Sequence, residues 1–331
     1  MTRVATTPRR VLAGLVGVLT VVSLVTAPQA SAAACAYHRV DLPLPAGTTS
    51  AWTKGSSPNN SRIVAGYLWD GHQPNGLLWI NGSLRIMPEA VRPLREVYPE
   101  AVNNSGVVVG RQENRYPNWV QTHAFRYEGF GYSFLYTTLD ENSDGLFVNE
   151  AGDVLGTVWD RDNPGDTTVV LWPRAGGRLS FGPGRPLGLS GRKIVKRDET
   201  GKVLIVDADN GASVEVPDAA GDLVVDNERL LGVERGGQLT EWNLNGVKVN
   251  AHPGGEKAFG RNNSGTVFGT VAPQSGGGLA LWRPSGRTSV VADELPHPQY
   301  YGDVSDAATL FSSWQDETGN PYPARWLWIC G

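Results

Sequence analysis

The sequence predicts an all-β fold, a seven-bladed β-propeller, on three observations. A phrase recurs along the chain at intervals of about 35 to 50 residues, the spacing of a repeat architecture. Gly at 41 and Pro at 22 suit many short strands joined by turns, and no long helical periodicity competes with them. The last copy of the phrase stops short of a full repeat, and the start of the chain after residue 32 can complete it.

The phrase reads as a blade of four strands. Its clearest copy leads from Val97–Val102 through the turn Asn103-Asn104-Ser105-Gly106 into Val107-Val108-Val109-Gly110. A connection then reaches His123-Ala124-Phe125-Arg126-Tyr127, and Glu128-Gly129 turns the chain into a fourth run at Tyr132–Tyr136. Asn and Gly tolerate positive φ, so these turns are hairpin signals. Arg62 and Arg229 stand where other copies have Gly, and those two turns are expected to differ in type.

Laid down seven times, the pattern gives third-strand landmarks at Trp79, Tyr127, Trp172, Val206, Trp242, Trp282 and Trp328. Copies four, five and seven are degenerate, so six blades with copies four and five merged is the alternative. The seventh copy ends at Trp326-Leu327-Trp328-Ile329-Cys330-Gly331, and Tyr37–Leu42 is expected to supply its fourth strand. The landmark aromatics are expected to pack between blades.

Residues 1–32 read as a cleaved secretory signal: Arg3, Arg9 and Arg10, an apolar run from Val11 to Ala27, then Ala30-Ser31-Ala32. The general secretory route is favoured over the twin-arginine route, for which Arg9-Arg10 is the only hint. Residues 33–331 form the single propeller domain, expected to be extracellular and monomeric. No later segment approaches the ~18 apolar residues that span a bilayer. Removing the signal takes Lys+Arg from 29 to 26 against 33 Asp+Glu, a formal charge of −7. That balance, without a basic cluster, excludes nucleic acid and anionic membranes as expected partners.

Two cysteines, Cys35 and Cys330, lie at opposite ends of the exported chain and are expected to form a disulfide. The rival reading is a lipid anchor on Cys35, but Ala32-Ala33-Ala34 lacks the Leu usually found three residues before a lipidated Cys. A bridge closing nearly the whole chain contributes about 5 kcal/mol in the chain-entropy treatment.

On these motifs the chain resembles the extracellular HAF repeat, named for the tripeptide seen here as His123-Ala124-Phe125. The resemblance rests on the Asn-x-x-Gly turn, the Val-x-Gly strand end and the Leu-Trp or Phe-x-aromatic strand. Only the second copy keeps the His. It implies a secreted β-propeller-like protein and carries no catalytic residues to transfer.

Function is expected on one face. First-to-second and third-to-fourth turns are short; second-to-third connections such as Asp70–Asn75, Glu113–Gln121, Asp160–Asp166 and Gln315–Pro323 read as long loops. Trp69, Asp70, His72, Tyr116, Trp119, Trp159, Asp160, Asp162, Trp314 and Asp316 lie there. Aromatic faces beside carboxylates suit sugars, so a glycan or cell-wall polymer is the leading ligand and a protein the second. Asp140, Asn142 and Asp144 begin a D-x-N-x-D-G calcium loop, but Ala151 stands where its closing Glu belongs, so an ordinary turn competes. Calcium is the one candidate cofactor. No Ser-based elbow, Walker loop or paired-His motif appears. The reading is therefore a non-catalytic binding module. The alternative is a polysaccharide-acting hydrolase or lyase with an axial carboxylate cluster.

Overall fold

The computed structural model describes residues 35–57, 63–68, 75–88, 95–129, 131–135, 137–138, 140–226, 228–272, 278–291, 302–304, 309–315 and 319–330. Among the described residues every regular element is a strand, and no helix is long and apolar enough to cross a membrane.

Seven four-stranded antiparallel sheets make seven blades of a β-propeller. Blade 1 holds β2 (Ala51–Ser56), β3 (Ile63–Leu68), β4 (Gly76–Ile80) and β5 (Ser83–Ile86). Blade 2 holds β6 (Arg95–Val102), β7 (Val108–Tyr116), β8 (Trp119–Tyr127) and β9 (Tyr132–Phe134). Blade 3 holds β10 (Glu141–Val148), β11 (Val154–Asp160), β12 (Asn163–Trp172) and β13 (Leu179–Pro183). Blade 4 is β14 (Arg185–Ser190), β15 (Lys193–Arg197), β16 (Val203–Asp207) and β17 (Ser213–Glu215). Blade 5 is β18 (Ala219–Asp226), β19 (Arg229–Glu234), β20 (Leu239–Asn243) and β21 (Lys248–His252). Blade 6 is β22 (Gly255–Arg261), β23 (Val267–Val271), β24 (Leu279–Trp282) and β25 (Thr288–Val291). Blade 7 joins β26 (Gly302–Val304), β27 (Leu310–Gln315) and β28 (Pro321–Cys330) to β1 (Cys35–Asp41) from the other end of the chain. Blades 4 and 5 are separate sheets, so the six-bladed alternative does not hold.

Seven apolar clusters hold the blades, one at each seam. Leu78, Val108 and Phe125 join blades 1 and 2, Val109 and Trp172 join 2 and 3, and Leu155 and Ile194 join 3 and 4. Leu187 and Trp242 pack between 4 and 5, Leu231 and Trp282 between 5 and 6, and Phe268 and Trp326 between 6 and 7. Phe311 with Leu77 and Trp79 fills the seam between blades 7 and 1. Trp79, Tyr127, Trp172, Trp242 and Trp282 are thus core. In blade 7 the ring equivalent to them is Trp326 and not Trp328, because the register sets Trp326 opposite Leu310 as Trp79 is opposite Val64.

The repeated Asn and Gly have physical causes. Asn103 Oδ1 accepts the N–H groups of Ser105 (3.1 Å) and Val107 (2.9 Å), closing its own turn. Its Nδ2 donates to the Asn149 carbonyl of the next blade at 2.9 Å, and Asn149 donates onward to Gly191 O at 2.8 Å. In blades 2 and 3 one residue type therefore shapes the turn and ties it to its neighbour. The turn at Arg229 differs from the Asn-x-x-Gly turns, as expected: β18 and β19 are joined by two residues, as β14 and β15 are, and Glu228 takes φ 62°. Arg62 lies outside the described residues.

The Gly of Val-x-Gly answers a bulge in the first strand. β2, β6, β10, β14, β18 and β22 each break register against their second strands, around Lys54, Glu100, Leu146, Leu187, Asp222 and Phe259. The bulge drives a carbonyl onto the second strand. A Cβ on Gly156 would lie 1.8 Å from Asp144 O, and the Trp172 ring closes the other side at 3.0 Å. Gly66, Gly110 and Gly269 meet the same obstruction. Gly156→Ala is expected to cost about 3 kcal/mol or more, because backbone rather than a flexible side chain must move. Gly165→Ala, with nothing within 4 Å of its Cβ, serves as the control in denaturant titrations. Equal midpoints for the two variants would contradict this account of the repeat.

Candidate ligand-binding site

Two places gather chemistry: a pair of hairpin tips on blades 2 and 3, and a cavity on the axis. The hairpins replace two of the expected long loops. Glu113–Gln121 is not a loop, because β7 and β8 stay paired out to Tyr116 opposite Trp119, with Pro117-Asn118 as the turn. Asp160–Asp166 likewise belongs to β11 and β12, turned by Arg161-Asp162. The runs of polar residues in these segments resemble loop composition, yet period-two pairing continues beneath them.

At the first tip Tyr116 and Trp119 stack at 4.2 Å with an interplanar angle of 13°. They are 45% and 37% exposed, and Val120 beside them is also exposed. The Arg161 guanidinium of the second tip lies over the Trp119 ring at 5.3 Å. Trp119 therefore has little π-face left, and the open aromatic surface is chiefly that of Tyr116. Arg161 also stands 3.6 Å from Asp140 and 3.7 Å from Asp162, while Asp160 Oδ1 accepts the Asp162 N–H at 2.7 Å. Trp159 is half-buried one residue inside this turn. Below the tips Arg115 bridges Glu96 (2.7 Å) and Glu113 (3.0 Å). Burial pushes the Glu96 carboxyl up, but hydrogen bonds from Arg115 and Tyr98 outweigh it and hold that group below the usual range. The tip is thus a weakly desolvated platform of one free ring face, one guanidinium and several carboxylates.

Of the ten residues expected at the ligand face, Tyr116, Trp119, Asp160 and Asp162 come together here, with Trp159 behind them. Trp69, Asp70, His72 and Asp316 lie outside the described residues, and Trp314 is placed on β27 by its backbone pairing with Tyr322. The proposed calcium ligands separate. Asn142 and Asp144 sit on the extended strand β10; Asn142 Oδ1 accepts the Thr122 N–H at 2.8 Å, and Asp144 faces Arg111. Asp140 precedes the strand and pairs with Arg161. An extended strand spreads alternate side chains about 7 Å apart instead of curling them round one ion. Among the described residues no group of three or more His, Cys, Asp or Glu is arranged to hold a metal.

The axial cavity has a volume of about 750 Å³ and is lined by the bulged strands of blades 1 to 6 together with Val64 and Phe311. All six bulge positions line it. Its lining reaches the short-turn end, at Asn149, Glu150, Gly191 and Glu228, and stops short of Glu96, Glu141 and Gly255 at the other. Sequence reading missed this cavity, because its walls come from six repeats and each contributes only a few residues.

Behind the wall lies a charged hub. Arg111 stands 2.9 Å from Glu100, 3.0 Å from Glu113 and 3.4 Å from Asp144, with its guanidinium 4.6 Å from the Tyr98 ring centre. Glu100 reaches the cavity; Asp144 is not among the lining residues. Burial pushes the Asp144 carboxyl up to about 7 despite Arg111, helped by the negative charge of Glu100 and Glu113. Its Oδ1 is buried without a hydrogen-bond partner among the described residues.

No known protein-family model matches the sequence, and no curated protein matches it significantly. Solved structures do match the fold. Oligogalacturonate lyase from Vibrio parahaemolyticus is similar at TM-score 0.56 and 8% identity, over 89% of this chain and 98% of that one. The GH74 enzyme of Niastella koreensis is similar at 0.55 and 13%, over 85% of this chain and 43% of its own length. Prolyl oligopeptidase B of Galerina marginata is similar at 0.53 and 11%, over 83% and 46%. At these identities the likeness is one of architecture: the chain is built as a β-propeller.

Proposed function

We propose that this protein is a secreted, non-catalytic binding module that holds a glycan or cell-wall polymer on the hairpin tips of blades 2 and 3. The observation that carries the reading is the exposed, pre-stacked Tyr116–Trp119 pair beside Arg161, Asp140 and Asp162. Nothing in the blade needs two large rings at its far tip, and exposed apolar surface rimmed by polar groups marks interaction sites. The stack is rigid before binding, so little side-chain freedom is lost when a sugar ring settles on Tyr116. The resemblance to the extracellular HAF repeat supports the location, with export through residues 1–32 and a Cys35–Cys330 bridge as parts of the same reading.

The alternative is polysaccharide cleavage by axial carboxylates, of which Glu100, Glu150, Asp222, Asp226 and Glu228 line the cavity. Asp144, the group whose raised pKa suits a general acid, does not. Thermal-shift measurements against soluble glycans test the binding reading: a glycan-specific rise in Tm supports it, and a flat response across acidic, neutral and amino glycans overturns it. New reducing ends or unsaturated products would move the assignment to the enzyme.

A further inference from the structure

We infer that the axial cavity is a second ligand site, for a short peptide with free termini. Its charged lining is almost wholly paired. Lys54 stands 3.7 Å from Glu100 and Lys257 stands 3.6 Å from Asp222, while Glu150 Oε1 accepts from Asn104 and Asp226 Oδ2 accepts the Arg261 N–H at 2.8 Å. Among the described residues two lining charges have no side-chain partner: Arg185 and Glu228. They lie at opposite ends. Arg185 opens β14 at one end of the cavity, and Glu228 sits in the turn after β18 at the short-turn end.

Glu228 is also one of three described residues other than glycine with positive φ, at 62°. Holding a branched backbone there costs on the order of 1 kcal/mol, a strain that recurs where a side chain must be presented. Between the ends the blade 3 and 4 side of the wall is apolar, with Leu146, Phe147 and Leu189, and Phe259 lies across from it. A single cation or anion leaves one end unmatched. An elongated zwitterion with an apolar body matches both.

Length decides among zwitterions. β14 runs from Arg185 to Ser190, roughly 17 Å at the rise of a strand. An extended chain covers at most ~3.3–3.6 Å per residue, so four or five residues span the cavity. The carboxylate terminus meets Arg185, where a guanidinium takes both oxygens, and the ammonium terminus meets Glu228 at the short-turn end, near Glu150 and Asp226.

The test is equilibrium dialysis of the full chain against a mixed pool of tetrapeptides, read by mass spectrometry. The free-termini pool is expected to be retained, and the same pool acetylated and amidated is not. Glu228→Gln should cut retention of free-termini peptides about tenfold while leaving N-acetylated peptides unchanged. Arg185→Gln should do the same for the carboxylate against the amide. Both substitutions are on exposed side chains, and unchanged melting curves verify that the variants fold. Tyr116→Ala should have no effect, which separates this site from the hairpin tips. Equal retention of free and blocked pools, or retention of neither, overturns the inference.

Discussion

Serine in place of Cys35 or Cys330 is expected to lower the unfolding free energy by about 5 kcal/mol. The register sets the two cysteines directly opposite each other on β1 and β28, at the last pair of a ladder that runs from Asp41 and Ala324 outward. A bridge there closes a loop containing nearly every described residue, so it removes more freedom from the unfolded chain than any shorter loop would. The backbone ladder of blade 7 survives the substitution, and Trp326 and Phe311 keep their seams. The variant should therefore fold and melt early instead of failing to form. Denaturant titration measures the loss. Intact mass before and after reduction verifies the chemistry, because the bridge predicts a non-reduced mass lower by two hydrogens. Two free thiols in the protein would contradict it.

Asp144→Asn is expected to stabilise the protein at alkaline pH, by up to about 4 kcal/mol. In the folded state burial pushes the Asp144 carboxyl from 3.8 to about 7. Between those values the folded protein keeps a proton that the unfolded chain has released. Stability from this group is therefore full below about pH 4 and falls as pH rises to 7, by ~1.4 kcal/mol per unit of difference. Asparagine copies the neutral carboxyl in shape, so the variant escapes that loss. Glu100 and Glu113 still face Arg111 in the variant, and the guanidinium keeps its charge partners. Comparing variant and wild type at each pH cancels the titrations of groups not coupled to Asp144. The two should coincide near pH 4 and diverge by pH 8, with the variant the more stable. A variant less stable at pH 8 would show that the Asp144–Arg111 attraction outweighs the cost of burial.

The fold was legible because each repeated residue answers a requirement met in most blades. Asn103 closes a turn and ties it to the next, Gly156 makes room for a bulge carbonyl, and Trp172 lies over that glycine. The bulges themselves have no residue signature: Lys54, Glu100, Leu146 and Phe259 share a place in the ladder and nothing else. Their consequence for strand 2 was visible; their cause was not. The site was half legible. Tyr116 and Trp119 drew notice as aromatics in a polar stretch, but the unbroken polar run from Arg111 to Tyr116 hid a hairpin. Arg161, which joins the two tips, gave no signal, since its aromatic partner, Trp119, comes from another blade. Asp140 to Asp144 fitted a calcium pattern only because a strand and a loop can carry the same alternate acids.

The central claim is that the Tyr116 platform binds a glycan. Calorimetric titration of the glycan that gives the largest thermal shift, into wild type and Tyr116→Ala, tests it most directly. Loss of most of a ring's apolar contact predicts affinity weaker by about 1–3 kcal/mol, roughly fivefold to a hundredfold, with the fold intact by melting. An unchanged affinity in the variant would contradict the account.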